Sequence, residues 1–181
     1  MLHVALEYIE PQIWRRIRVP ESYSLHQLHR VLQMVFSWLD YHLYAFQVGK
    51  RIFERPERES EYESSIAVSL SDLQLKTGQR FRYTYDFGDN WRHIITVESF
   101  LPMPSRGDGD WSPRLMAGAR AAPPEDCLGP PGYEMMLQSR TAADRTTGEV
   151  WAAMPEGFDP ERFDPWALDH SMSLAAAWGA I

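Results

Sequence analysis

Residues 81–100, FRYTYDFGDNWRHIITVESF, read as two strands folded back on a short polar loop. Phe81, Tyr83, Tyr85 and Phe87 alternate with Arg82, Thr84 and Asp86; Trp91, His93, Ile95 and Val97 alternate with Arg92, Ile94 and Thr96. A period of two sends the aromatic set to one face of a sheet and the polar set to the other. A three-residue loop, Gly88-Asp89-Asn90, pairs Phe87 with Trp91, Tyr85 with His93, Tyr83 with Ile95 and Phe81 with Val97. On the other face it pairs Asp86 with Arg92, Thr84 with Ile94 and Arg82 with Thr96. Two-residue loops mix aromatic and polar residues on both faces, so the pattern selects the three-residue register.

Outward from this hairpin, Leu2, Val4, Leu6 and Tyr8 alternate up to Glu10-Pro11, and a second run, residues 13–19, ends at Pro20. These are two strands with a short connection. Ile13, Arg15, Ile17 and Val19 share a face, so Arg15 requires a partner, because an unpaired buried charge is costly. Residues 24–39 predict a helix. Ser24 and Gln27 make a capping box, and Leu25, Leu28, Leu32, Val35, Phe36 and Leu39 form its apolar stripe. His29 falls on the stripe; His26, Arg30 and Gln33 fall on the wet side. LYAFQV (43–48) and Ile52-Phe53 are extended about a turn at Gly49-Lys50. Residues 54–65 read as a charged loop, 70–75 as one or two helical turns capped by Ser69 or Ser71, and 102–114 as a Pro/Gly/Asp-rich loop. AAPPEDCLGPPGY (121–133) is a rigid irregular loop. Residues 132–154 predict one or two helices, and 158–170 a capped final turn or short helix. The expected fold is α+β, residues 1–181 forming one domain. A mixed, mainly antiparallel sheet is built from hairpins, with the helices packed on one face.

At 181 residues, 44% hydrophobic and 24% charged, the composition is that of a globular chain. No apolar run approaches the roughly 20 residues of a membrane helix, so no membrane association is expected. MLHVALEYIEP lacks a basic n-region and a long apolar stretch, so no signal peptide is expected. Cys127 is the single cysteine, which excludes an internal disulfide and fits a reducing, cytoplasmic setting. A net charge of −7 argues against nucleic-acid binding through the overall field. Arg15, Arg16 and Arg18 lie on one strand, and alternation divides them between faces.

PQIWRRIRVP, SLHQLHRVLQMVFSW with YHLYAF, YTYDFGDNWRH, PPEDCLGPPGY and FDPERFD follow one another in this order. Together they resemble the plasmid pRiA4b ORF-3-like family over nearly the whole chain. The resemblance implies a compact α+β fold and an association with plasmids and insertion sequences. One member carries a resolvase label, and no demonstrated activity is implied. Members often carry HLH where this chain has His42-Leu43-Tyr44, and a cysteine before PPED where it has Ala122. If those family residues are metal ligands, this chain lacks two of them.

The DFGD loop is not a kinase element, since the glycine-rich loop, β3 lysine and HRD loop are missing. It is either a turn with an ion pair or a place where Asp86 or Asp89 enters a site. His29, His42 and His93 with Asp86, Asp89, Glu125, Asp126 and Cys127 supply ligand types for zinc or manganese, but at no dedicated spacing. His29, Asp89 and His93 are the candidate ligands for a divalent metal; Asp86, Asp89, His93 and Glu125 are the candidate catalytic residues. Two adjacent carboxylates disfavour a Cys127 thiolate. No G-x-S-x-G elbow occurs, and no serine stands among arginines as a resolvase requires. Glu125 or Asp126 is expected to neutralise Arg15 or cap the helix that follows. Trp14, Trp38, Trp91, Trp111 and Trp151 serve either core packing or partner binding. Two function classes stay open. One is a non-enzymatic binding or adaptor protein with a protein or nucleic-acid partner from a mobile-element system. Its binding residues would come from Arg15, His29, His42, Trp91, Arg92, Asp126 and Cys127, around Trp91, Arg92 and the PPEDC loop. The other is a metal-assisted hydrolase or nuclease using His29, Asp86, Asp89, His93 and Glu125. No catalytic spacing stands out, which leans toward the first.

Overall fold

The computed structural model describes residues 1–55, 61–102, 112–139 and 157–177. Its strands are β1 (Leu2–Leu6), β2 (Trp14–Arg18), β3 (Tyr44–Val48), β4 (Arg51–Glu54), β5 (Glu63–Ser64), β6 (Arg80–Tyr85), β7 (Trp91–Val97) and β8 (Arg114–Ala119). They form one sheet in the order β5-β4-β3-β6-β7-β1-β2-β8. All neighbours are antiparallel except β4 and β5. The helices are α1 (Leu25–Phe36), α2 (Gly129–Ser139) and α3 (Pro165–Ala177). This is the expected α+β architecture. No helix among the described residues is long and apolar enough to cross a membrane.

The β6–β7 hairpin pairs Tyr85 with Trp91, Tyr83 with His93 and Phe81 with Ile95. Its loop is therefore residues 86–90, five residues and not three. Both lengths keep every side chain on the same face, so hydrophobic alternation cannot distinguish them. The longer loop closes on itself. Asn90 N–H donates to the Asp86 carbonyl at 2.6 Å, and Gly88 N–H to Asp86 Oδ1 at 2.9 Å. Arg92 consequently stands opposite Thr84, and Asp86 is released from the ladder.

Helix α1 starts with the expected reciprocal capping box at Ser24 and Gln27, but ends at Ser37, a left-handed cap, so Leu39 lies outside it and is exposed. Gln33 is buried, contrary to the sequence expectation. Its Nε2 donates to Tyr83 Oη at 3.0 Å and its Oε1 accepts from Asp40 N–H at 3.1 Å, which satisfies an amide inside the core. Residues 70–75 form turns and no helix; Ser69 N–H and Oγ–H both donate to Asp72. Strand β8 begins at the end of the expected 102–114 loop, and its small residues (RLMAGA) hide the alternation. Strand β5 arises within the charged 54–65 stretch, and α3 runs past residue 170.

The inner face of the sheet carries Val4, Ile17, Phe46, Tyr83, Trp91 and Ile95, all fully buried, against the apolar stripe of α1. Arg15 lies on the same face at 2% exposure. Its expected salt bridge to Glu125 or Asp126 does not form. Nε donates to the Val35 carbonyl at 2.7 Å; Nη1 donates to the Trp14 and Ala119 carbonyls at 2.8 and 2.9 Å. The guanidinium also sits 5.0 Å from the Phe36 ring centroid and 4.6 Å from that of Phe163. Val35 belongs to the last turn of α1, where carbonyls lack helical partners and carry the negative end of the dipole. A carbonyl cage thus replaces the carboxylate. Burial draws the Arg15 pKa down to about 10, which leaves it charged at neutral pH.

Candidate functional site

Three loops meet at one end of the sheet: residues 37–43 after α1, residues 86–90, and residues 123–129 before and into α2. Backbone and side-chain bonds stitch them together. Trp38 Nε1–H donates to the Pro123 carbonyl at 2.9 Å, and Leu39 N–H to Glu125 Oε1 at 2.7 Å. Tyr41 Oη–H donates to Asp126 Oδ2 at 3.0 Å, and Asp86 N–H to the Leu43 carbonyl at 2.8 Å. Tyr85 Oη–H reaches Glu125 Oε1 at 3.2 Å from below.

At their junction lies His42. Its Nε2 is 3.1 Å from Asp126 Oδ1, 3.6 Å from Asp86 Oδ2 and 4.0 Å from Glu125 Oε2. One ligand atom from each of His42, Asp86 and Asp126 falls within 4.8 Å of the others. The Asp86 side chain is 10% exposed and that of Asp126 61%, so the cluster has a buried wall and an open mouth. His42 Nε2 and Glu125 Oε2 are buried yet make no hydrogen bond; the contact to Asp126 is close but misdirected for one. Burial raises the Glu125 pKa against the opposing Leu39 N–H, Tyr85 hydroxyl and His42. Burial also raises that of Asp89, helped by the charges of Asp86 and Asp126 and opposed by the N–H groups of Gly129 and Cys127. Burial, followed by the Asp89, Asp126 and Glu125 charges, pushes the Cys127 thiol up to about 12, which keeps the free thiol protonated at neutral pH and a poor nucleophile.

The set His29, Asp86, Asp89, His93 and Glu125 does not converge. His29 and His93 follow the periodicity of the inner face, while the acids sit in loops at the sheet end. His29 Nδ1 meets Tyr83 Oη at 2.8 Å and its Nε2 meets Asp40 Oδ1 at 2.6 Å, with Tyr44 stacked 3.6 Å away. His93 is fully buried among Phe36, Trp38 and Tyr83, and neither ring nitrogen makes a hydrogen bond. Trp91 is fully buried and offers nothing to a partner. Arg92 points outward to Asn90 Oδ1 and Tyr8 Oη. Trp111 and Trp151 lie outside the described residues. Tyr44, which stands where relatives often have a second histidine, bonds through its hydroxyl to Ser65 and His26 and takes no part in the cluster. Tyr41 and Tyr85 are the contributors that sequence reasoning missed; the adjacency of Tyr41 to His42 was the available signal.

Gly129 fastens the arrangement. It has φ +67°, and a β-carbon there would overlap the Asp89 carbonyl. Gly129→Ala is expected to lower stability by about 2–3 kcal/mol, from the left-handed backbone plus the clash. Urea unfolding measures this, and an unchanged midpoint would mean that residues 89 and 129 do not touch.

An antiparallel sheet with one helix-covered face, ending in a His/Asp loop cluster, defines the molecule as an α+β protein with a candidate polar centre. The chain belongs to the family described as plasmid pRiA4b ORF-3-like protein, whose sequence model matches residues 1–167. It is similar to the uncharacterised protein y4hQ of Sinorhizobium fredii, 36% identical over 141 residues, which are 76% of this chain and 71% of that protein. It is also similar to the crystal structure of MM3350, a protein of unknown function from Methanosarcina mazei Go1. That likeness has a TM-score of 0.77 at 35% identity and covers 91% of this chain and 93% of the other.

Proposed function

We propose that the protein is a divalent-cation-dependent binding protein. His42, Asp86 and Asp126 hold the ion, and the ion braces the three loops that present Leu39, Tyr41, Phe87 and Leu128 to a partner. The observation that carries this reading is the spacing of the ligand atoms. Two ligands about 2.1 Å from one ion stand about 3.0 Å apart at a right angle and about 3.4 Å apart at a tetrahedral one. The distances from His42 Nε2 to Asp126 and Asp86 are 3.1 and 3.6 Å. An imidazole with carboxylates suits zinc or manganese better than calcium. The four apolar side chains are each 48–72% exposed and lie on the same loops. A partner from a plasmid or insertion-sequence system, and a cytoplasmic setting suited to the free Cys127, belong to this proposal.

Purified protein reconstituted with Zn²⁺ or Mn²⁺ is expected to bind about one ion per chain, and His42→Ala or Asp86→Asn to weaken binding at least about tenfold. Elemental analysis and calorimetry read both. No ion after reconstitution, or unaltered affinity in both variants, overturns the reading. A second reading, metal-assisted hydrolysis, rests on Glu125, whose buried, unbonded Oε2 and raised pKa suit a general base. Metal-dependent ester or phosphodiester turnover that Glu125→Gln abolishes without loss of the ion would select it.

A further inference from the structure

The face of the sheet opposite α1 has a chemistry unlike the rest of the chain. Alternation places Trp14, Arg16 and Arg18 of β2 outward, with Arg80, Arg82 and Thr84 of β6 and Arg92, Ile94 and Thr96 of β7. The register aligns them in rows. Arg82 pairs with Ile94, Ile94 with Ala5 and Ala5 with Trp14; Arg80 pairs with Thr96, Thr96 with His3 and His3 with Arg16. Five arginines of β2, β6 and β7 thus share a face with three carboxylates, Glu7, Glu54 and Glu98, and a sixth, Arg114 of β8, stands opposite Arg18 and is ion-paired to Asp169, on a chain whose net charge is −7. Arg16 and Arg82 remain 39% exposed while ion-paired to Glu98 and Glu7, and Arg80 is exposed.

We propose that this outer face is a docking surface for single-stranded nucleic acid. Alternate residues on a strand lie about 6.8 Å apart and neighbouring strands about 4.8 Å, so the arginines of β6, β7 and β2 span about 14 Å across the sheet. Between them lie apolar and ring surfaces: Ile94, the partly exposed Trp14 with His3 stacked at 5.1 Å and the Arg16 guanidinium 5.4 Å from its centroid, and, beside Arg92, Tyr8 at 71% exposure. Cations that track a phosphate backbone, interleaved with rings on which bases stack, are what single strands need. Rings beside cations favour single strands, whose bases are free to stack, over duplex. The acidic balance of the whole molecule leaves attraction to the patch alone, so binding falls steeply with salt.

The test is fluorescence anisotropy of labelled single-stranded oligonucleotides of about 15 nucleotides, with the full chain in chelator, which separates this inference from the cation reading. The expected result is saturable binding at about 50 mM salt that weakens at least about twentyfold by about 200 mM. Arg80→Glu with Arg92→Glu lowers affinity at least about tenfold and flattens the salt slope by about 2, and Trp14→Ala lowers affinity with the salt slope unchanged. Thermal unfolding confirms that the variants fold. No binding at low salt, or wild-type affinity in the arginine double variant, overturns the proposal. Equal affinity for a base-free polyanion, unaffected by Trp14→Ala, or tighter binding to duplex, also overturns it.

Discussion

Arg15→Ala is expected to cost about 3–5 kcal/mol, a large share of the roughly 5–15 kcal/mol that holds a domain folded. The loss has two sources. The carbonyls of Val35 and Ala119 lose their donors in a buried environment, at about 1–3 kcal/mol each. The space between the rings of Phe36 and Phe163 then empties. Arg15→Met keeps the volume and should recover only the second part. Arg15→Lys keeps the charge but not the planar fork that serves three carbonyls, and should fall between. Gly118 shows how tightly the cage closes: a β-carbon there would stand 2.5 Å from Phe163 Cζ and 3.0 Å from Arg15 Cδ. Guanidine unfolding of the three variants measures the order. Equal midpoints for Arg15→Met and wild type would mean that the carbonyls find other donors and that the cage contributes nothing.

The cage also shows where sequence reasoning stopped. That Arg15 faces inward was legible, because alternation in β2 is strict. Its partner was not, since Val35 and Ala119 enter through main-chain atoms, and a main-chain acceptor leaves no mark in side-chain chemistry. The same limit explains β8: RLMAGA carries no alternation, and only pairing to β2 makes it a strand. Helix α1 was legible to its first residue because the capping box is a side-chain signal. Its end was not, because Ser37 caps it through a left-handed backbone.

For the site, His42, Asp86, Glu125 and Asp126 could each be named as candidates, yet grouping them required the loop geometry. His29 and His93 entered the same group only because histidine is a ligand type, whereas the period that carries them points them into the core. A five-residue loop in place of a three-residue one then decided the matter. It frees Asp86 from a cross-strand arginine and turns it toward His42.

Acid is expected to unfold the protein well above the carboxylate range, and His93 is the main reason. Burial holds its pKa down to about 3 from an ordinary 6.5, with the Arg15 charge adding to the effect and the backbone of Tyr83 and Trp91 opposing it. The unfolded chain therefore binds a proton below about pH 6.5 that the folded chain refuses. Stability is complete above that point and falls by about 1.4 kcal/mol per pH unit as the pH drops toward 3. His29 acts in the same direction: burial lowers its pKa, though the hydrogen bond to Asp40 opposes this. Asp40 has a lowered pKa despite burial, through His29 and Arg30, and withdraws its contribution only at lower pH. Urea midpoints at pH 7.5, 6.5, 5.5 and 4.5 should fall steadily in the wild type. His93→Phe fits a cage whose walls are Phe36, Trp38 and Tyr83, and gives up only the poorly directed contacts of the ring nitrogens with the Tyr83 and Trp91 backbone. That variant should keep most of its stability at pH 7.5 and lose about 1.4 kcal/mol less per unit below pH 6.5. Parallel profiles for the two proteins would show that the His93 ring takes up its proton in the folded state, with the Tyr83 and Trp91 backbone accepting from it strongly enough to offset its burial.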